Sequence, residues 1–164
     1  MTEQDTLSPL RRTGPFWLFT RLATLEAITW ALLLVGMFVK YGTGAVHQGE
    51  LGVRIAGMLH GVVFIAYCLV AVLTWVDQKW TPGRLVVALI SAVVPFMTLW
   101  FETRVAKDGF VTPTHWRLRE EEPVNGLERI VAWLLRNPLL GVLVFLVTLV
   151  ALTALALTVG PPGK

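Results

Sequence analysis

Two ionisable residues, Glu26 and His60, lie inside long apolar stretches and are the residues best placed to do chemistry. If a helix begins near Phe16, Glu26 lies about 15 Å along it, near the middle of a bilayer. A charged group at that depth costs at least about 2.5–3.5 kcal/mol, so it needs a partner or a bound proton. His60 lies about 10 Å deep from the opposite end of the next apolar stretch. Antiparallel packing would bring the two within about two helical turns in depth, and we predict an intramembrane polar pair.

This polar pair has two interpretations. In the functional one, it accepts protons or lines a polar ligand pocket within the helix bundle. In the structural one, it is a buried hydrogen-bonded pair that fixes the register of two helices, and for one acid and one imidazole we favour this interpretation. Three further charged residues are predicted to lie at the membrane interface: Lys40, Arg54 and Glu102.

Four apolar segments must position these residues, at about residues 16–39, 53–76, 85–101 and 138–159. Each falls in the window of about 17–25 residues that a helix needs to cross a hydrocarbon layer of about 30 Å. The apolar residues run continuously and do not alternate with polar ones, which argues against strands. The sequence therefore predicts an all-α fold, a polytopic transmembrane helical bundle with four spans.

Residues 127–136, just before the fourth segment, predict an amphipathic helix. Its apolar residues share one face: Leu127, Ile130, Val131 and Leu134. Glu128 lies off that face. The pattern is typical of a short helix lying in the membrane interface. It fits an extension of the fourth span with a kink at Pro138 equally well, and the sequence leaves both alternatives open.

Small residues and one proline mark the predicted contacts between spans. Gly57 and Gly61 bracket the histidine in a small-xxx-small pattern, which lets two helices approach closely. Ala88 and Ala92 offer a similar small surface on the third segment. Pro95, in the same segment, frees a backbone carbonyl one turn earlier and predicts a kink.

Composition argues against several classes of function. Of the 164 residues, 55% are hydrophobic and 15% are charged. The net charge is +3, and the Lys and Arg residues do not form the stripe that is typical of nucleic-acid binding. The single cysteine, Cys68, excludes an internal disulfide and a thiolate metal cluster. The three histidines lie in different environments, so we predict no metal site and no cofactor. Without a nucleophile–base pair or phosphate loop, we predict no catalytic residue and no enzyme.

Short motifs follow one another in a characteristic order along residues 19–107. In order, they are Leu25-Glu26-Ala27, Lys40-Tyr41, Gly57-Met58-Leu59-His60-Gly61, Pro95-Phe96 and Glu102. Together they resemble a family of small bacterial integral membrane proteins, the domain of unknown function 3817, although the family has a glycine where this chain has Ala27. The resemblance implies a three-span module in the bacterial cytoplasmic membrane with its N-terminus inside the cell. It implies no activity.

The chain is accordingly predicted to have four parts. They are a polar N-terminal tail (residues 1–15), the three-span module (16–108), a polar connection (109–126), and the possible interfacial helix with the fourth span (127–164). The fourth span carries no charge, so packing is the role that its residues best support.

The lack of catalytic chemistry and the small-residue surfaces predict an accessory or scaffolding subunit of a larger membrane complex. Its expected partners are membrane lipids and other membrane protein subunits or copies of itself, and no nucleic acid. The alternative is a small transporter, channel or sensor that uses Glu26 and His60 as an intramembrane relay.

Overall fold

The structure is a computed structural model, and it describes residues 14–109 and 115–159. Within these ranges the chain is all-α, as predicted. The helices are α1 (Pro15–Gly42), α2 (Val46–Asp77), α3 (Pro82–Val93), α4 (Met97–Lys107), α5 (Arg117–Glu120), α6 (Gly126–Arg136) and α7 (Pro138–Val159).

Three of the predicted spans are single helices that are long and apolar enough to cross a membrane. They are α1, the stretch Gly49–Asp77 of α2, and α7, with mean hydropathies of 2.0, 2.3 and 2.8. The third predicted span is divided between α3, of 12 residues, and α4, of 11 residues. It is therefore built from two short helices in place of one long one.

The division between α3 and α4 lies at Pro95. A proline ring disfavours helical geometry in the residue before it, and Val94 is extended, with φ −96° and ψ 125°. Phe96, just after the proline, has φ 63° in the left-handed region, from which α4 begins at Met97. The predicted kink is thus a complete break in the helix. A left-handed phenylalanine is strained, and such strain persists only where the surrounding structure holds it.

α1 and α2 form an antiparallel hairpin whose closest approach involves glycines near the connecting loop. A Cβ atom on Gly36 would lie 3.0 Å from the Val53 backbone nitrogen, and one on Gly49 would overlap the Lys40 Cα. The predicted packing glycines, Gly57 and Gly61, lie farther from the neighbouring helices of this chain. A Cβ on Gly57 would meet only the Leu33 side chain at 3.8 Å, and one on Gly61 would meet nothing within 4 Å.

The main hydrophobic core lies where α3 and α4 cover the α1–α2 hairpin. At its centre the Phe19 ring contacts Tyr67, Trp80 and Phe101 at centroid distances of 5.4, 5.8 and 6.0 Å. Each aromatic pair at such a distance adds about 0.5–1.5 kcal/mol beyond the burial of its area. Ala88 and Ala92, the small surface predicted on the third segment, are fully buried in this core.

α6 and α7 are separated by one non-helical residue, a break that fits both alternatives for residues 127–136. α6 ends at Asn137, whose φ of −116° and ψ of 76° are not helical, and α7 begins at Pro138. The residues of the predicted apolar face differ in their burial. Glu128 and Val131 both face the protein, whereas Leu127 and Ile130 are exposed.

The α1–α2 contact yields a test that separates two glycines of the same helix. We expect Gly49→Ala to lower the free energy of unfolding by about 1–3 kcal/mol, the usual cost of overpacking, because the new methyl group would overlap the Lys40 backbone. Gly61→Ala is the matched control and should gain up to about 1 kcal/mol from helix propensity. Unfolding by sodium dodecyl sulfate in mixed micelles measures both values. Equal stabilities for the two variants would contradict this packing.

Candidate functional site

Glu26 lies at the centre of a polar cluster buried between α1, α2 and α4. Its side chain is fully buried. Oε2 lies at hydrogen-bond distance, 2.7 Å, from the Thr98 hydroxyl, and Oε1 has no hydrogen-bond partner. We call Glu26, Thr29, His60 and Thr98 the inner cluster.

The break in the third segment is what brings Thr98 to Glu26. Thr98 is the second residue of α4, so it occupies the first turn after the break. The residue before this helix, Phe96, supplies no side-chain cap. α4 thus presents the Thr98 hydroxyl to the carboxyl group.

His60 belongs to the same cluster but does not bond to the Glu26 side chain. Its Nδ1 lies 3.1 Å from the Thr29 hydroxyl, which itself donates to the Glu26 backbone carbonyl at 2.9 Å. Which of the two groups donates between Nδ1 and Thr29 depends on the tautomer of the imidazole. Glu26 and His60 are therefore neighbours linked through Thr29 and a backbone carbonyl, and no hydrogen bond joins their two side chains directly.

Trp30 also lies beside the carboxyl group. Its indole N–H points to the Ala92 carbonyl at 3.3 Å, while the indole is near enough to interact with Glu26 as well. The indole ring packs against the His60 imidazole with a centroid distance of 4.6 Å. Trp30 thus ties α1 to the last turn of α3, just before the break.

Two further hydroxyl contacts surround the inner cluster. The Tyr67 hydroxyl lies 3.2 Å from the Ser91 hydroxyl, which donates to the Ala88 carbonyl at 2.6 Å. Thr20 donates to Glu102 at 2.9 Å. The sequence analysis missed these partners because a single hydroxyl in an apolar helix is common and carries no spacing signal.

The remaining predicted residues lie away from the inner cluster. Lys40 packs over the Tyr41 ring at 5.2 Å from its centroid. Arg54 is exposed, and Pro95 is exposed at the break. Within residues 14–109 and 115–159, no group of three or more His, Cys, Asp or Glu side chains is arranged to hold a metal ion.

A second polar cluster, which the sequence analysis also missed, joins the end of α2 to α5 and α6. Asp77 is fully buried and accepts hydrogen bonds from the backbone N–H groups of Leu118, at 2.9 Å, and Arg117, at 3.2 Å. The Arg117 guanidinium donates to the Asp77 carbonyl and to Glu128 Oε1, the latter at 3.0 Å. We call Asp77, Arg117 and Glu128 the outer cluster. Only the fold brings its three residues together, because they lie in three separate elements.

The outer cluster keeps Glu128 ionised. The backbone N–H of Val124, 2.8 Å from Oε2, is the largest influence and lowers the Glu128 pKa below its ordinary value of 4.5. Burial opposes this effect, and the charge of Arg117 reinforces it. Burial also disfavours the charged form of Arg117, but its contacts with Glu121 and Glu128 raise the Arg117 pKa on balance. Both partners therefore remain charged near neutral pH.

Comparison with known proteins identifies a family and one relative. The family described as "Domain of unknown function (DUF3817)" matches residues 16–107, which contain all four residues of the inner cluster. A protein of Streptomyces coelicolor (strain ATCC BAA-471 / A3(2) / M145), named only as a membrane protein, is 48% identical over 92 residues. The match covers 56% of this chain and 10% of that protein, so the chain spans about a tenth of the relative's length. No solved structure matches the chain.

The outer cluster predicts a loss of stability in acid. Because the pKa of Glu128 is lower in the folded protein, its contribution is present above the ordinary value of 4.5 and disappears as the pH falls through the folded value. We expect α5 and α6 to loosen over that range, seen as faster hydrogen exchange at the Leu118 amide after correction for intrinsic rates. Glu128→Gln should remove the acid dependence, whereas Glu120→Gln, at an exposed position in α5, should retain it. Identical pH profiles for the two variants would refute the assignment.

Proposed function

The chain belongs to the family described as "Domain of unknown function (DUF3817)", and we propose that it is a non-catalytic accessory or scaffolding subunit of a larger membrane complex. The observation that carries the proposal is the exposure of α7. In the most apolar stretch of α1 and of α2, 28% of residues are buried within the protein, whereas in α7 none is. This helix therefore has nearly its whole circumference available to lipid or to another protein.

The sequence of α7 supports a packing role. Its 22 residues carry no charge, and its mean hydropathy of 2.8 is the highest of the candidate spans in the described ranges. It contacts the rest of the chain along one side, through α2 and α6, with Phe145 against the main core. In lipid, helices associate through close packing of their surfaces and not through the hydrophobic effect. An uncharged helix with free sides is suited to such association.

The relative from Streptomyces coelicolor adds independent support. There, the matched stretch is a tenth of a much longer protein named as a membrane protein. We infer that a module of this kind works beside further membrane protein, as an accessory subunit does.

The inner cluster fits a non-catalytic role. The Thr29 hydroxyl donates to a backbone carbonyl, so the neighbouring imidazole does not activate it as a nucleophile. A transporter, channel or sensor that uses Glu26 and His60 as a relay is less well supported, because no hydrogen bond joins these two side chains.

Substitutions on α7 test the proposal. We expect Leu143→Trp with Val147→Trp, both exposed residues one turn apart, to block close packing without preventing insertion. Partner recovery after purification in mild detergent should fall by about tenfold or more, equivalent to about 1.4 kcal/mol. The partner is defined as one protein, or a second copy of this chain, recovered in constant ratio.

The matched control for α7 lies on α1. Leu32→Trp with Val35→Trp changes two similarly exposed residues of another span and should leave partner recovery unchanged. Mass photometry gives the size of the complex in each case. If the unmodified protein is recovered alone and monomeric, or both double variants behave alike, the proposed role is wrong.

A further inference from the structure

One carboxyl oxygen of Glu26 is buried without a hydrogen-bond partner, and the accessory role does not explain this arrangement. The side chain is fully buried, and Oε1 lacks a hydrogen bond. No Lys or Arg side chain in the described ranges forms an ion pair with this carboxyl group. An ionised carboxylate would therefore keep one oxygen bare in apolar surroundings, which is among the most costly arrangements in a membrane helix.

The Thr98 hydroxyl offers an arrangement in which the carboxyl group is neutral and satisfied. The hydroxyl lies 2.7 Å from Glu26 Oε2 and 3.3 Å from the Ala23 carbonyl oxygen, although it has only one hydrogen to donate. If Glu26 carries a proton on Oε2, it donates to Thr98, and Thr98 donates to Ala23. Both hydrogens then have an acceptor. Oε1 becomes the carbonyl oxygen of a neutral acid, for which a missing hydrogen bond costs far less than for a charged group.

We propose that Glu26 and Thr98 form a reversible proton-binding site at the break between α3 and α4, and that the proton is bound in the conformation described. On release, the carboxyl O–H bond breaks, the electron pair stays on the carboxylate, and the proton passes to water. No other reactant is needed. The ligand is a proton and not a metal cation, because no second carboxylate, thiolate or imidazole in the described ranges joins Glu26 in a metal-binding group.

Proton release would change hydrogen bonds on both sides of the break between α3 and α4. The donors nearest to a newly formed carboxylate are the Thr98 hydroxyl and the Trp30 indole N–H. Each donor would break its hydrogen bond to a backbone carbonyl and form one to the carboxylate. Thr98 would lose its bond to the Ala23 carbonyl, and Trp30 would lose its bond to the Ala92 carbonyl. Ala92 lies just before the break and Thr98 just after it. The proton thus controls how α3 and α4 are held against α1.

Few other titratable groups face this site. From α2, Tyr67 and Cys68 are near enough to sense the charge of Glu26, and His60 approaches through Thr29. From α4, Glu102 is bonded to Thr20. The only titratable residue of α3, Arg84, lies in the first turn at its far end. None of these groups is a cation paired with Glu26, so the bound proton is what neutralises it.

Carboxyl ¹³C NMR of the full chain in lipid nanodiscs tests the proposal directly. With ¹³C at the glutamate δ-carbons, the Glu26 signal is assigned by its through-space contact with Thr98 and by its loss in Glu26→Gln. We expect it at the position of a protonated acid through neutral pH, while exposed glutamates such as Glu120 are ionised. A Glu26 signal at the carboxylate position at neutral pH would overturn the proposal. So would a shift that appears with sodium chloride but not with choline chloride, because the ligand would then be sodium.

Stability measurements separate proton binding from a fixed structural role. A folded state that holds a proton which the unfolded state has lost becomes less stable as the pH rises. Detergent-induced unfolding of the unmodified protein should therefore become easier at alkaline pH, with faster hydrogen exchange in α4. Glu26→Gln, whose amide can donate to Thr98 as the acid does, should fold normally and lose this dependence. Glu102→Gln is the matched control and should retain it.

A stability of the unmodified protein that does not fall as the pH becomes alkaline would overturn the proposal. The NMR measurement decides the matter if Glu26→Gln does not fold. Either result is independent of the accessory role, which depends on α7 and on partner recovery. A monomeric protein with a protonated Glu26 would contradict only the accessory role. A complex with an ionised Glu26 would contradict only the proton-binding site.

Discussion

A carboxyl group in the middle of an apolar helix constrains everything packed around it. Glu26 can be buried only if neighbouring helices supply hydrogen bonds or if it remains neutral. The protein meets this requirement with the Thr98 hydroxyl at 2.7 Å. That contact requires the first turn of α4 to face α1, and this in turn requires the third apolar segment to be interrupted. The polar site and the irregular third segment are therefore one structural feature.

The interruption also explains how the rest of the bundle is arranged. Pro95 and the left-handed Phe96 separate α3 from α4, so both can pack against the α1–α2 hairpin. Phe101, on α4, then reaches the aromatic group around Phe19. Residues beyond α4 are held differently, by the outer cluster, in which Asp77 binds two backbone N–H groups at the start of α5. α7 follows this anchored region and remains mostly free of the bundle.

Some of the site could be predicted from the sequence and some could not. Glu26 and Pro95 stand out because an acid and a proline are costly in an apolar helix, so each signals a special environment. The contact of Glu26 with Thr98 could not be predicted from the sequence. Matching depth along two helices suggested His60, but depth carries no information about which face of a helix meets which neighbour. Thr98 carried no signal of its own, since its hydroxyl matters only because the break directs α4 towards α1.

The sequence by itself determined the all-helical membrane architecture, because long uncharged apolar stretches satisfy their backbone groups only as helices in lipid. It also determined that the helix would be disturbed at Pro95, since a proline lacks the N–H that a helix needs. Only the tertiary structure showed that the helix breaks completely at Pro95. It also decided that the helices approach closely at Gly49 and that Asp77, Arg117 and Glu128 lie together. These depend on the relative rotation of helices, which many distant side chains set together. The same rotation decided that Glu26 meets Thr98 and not His60.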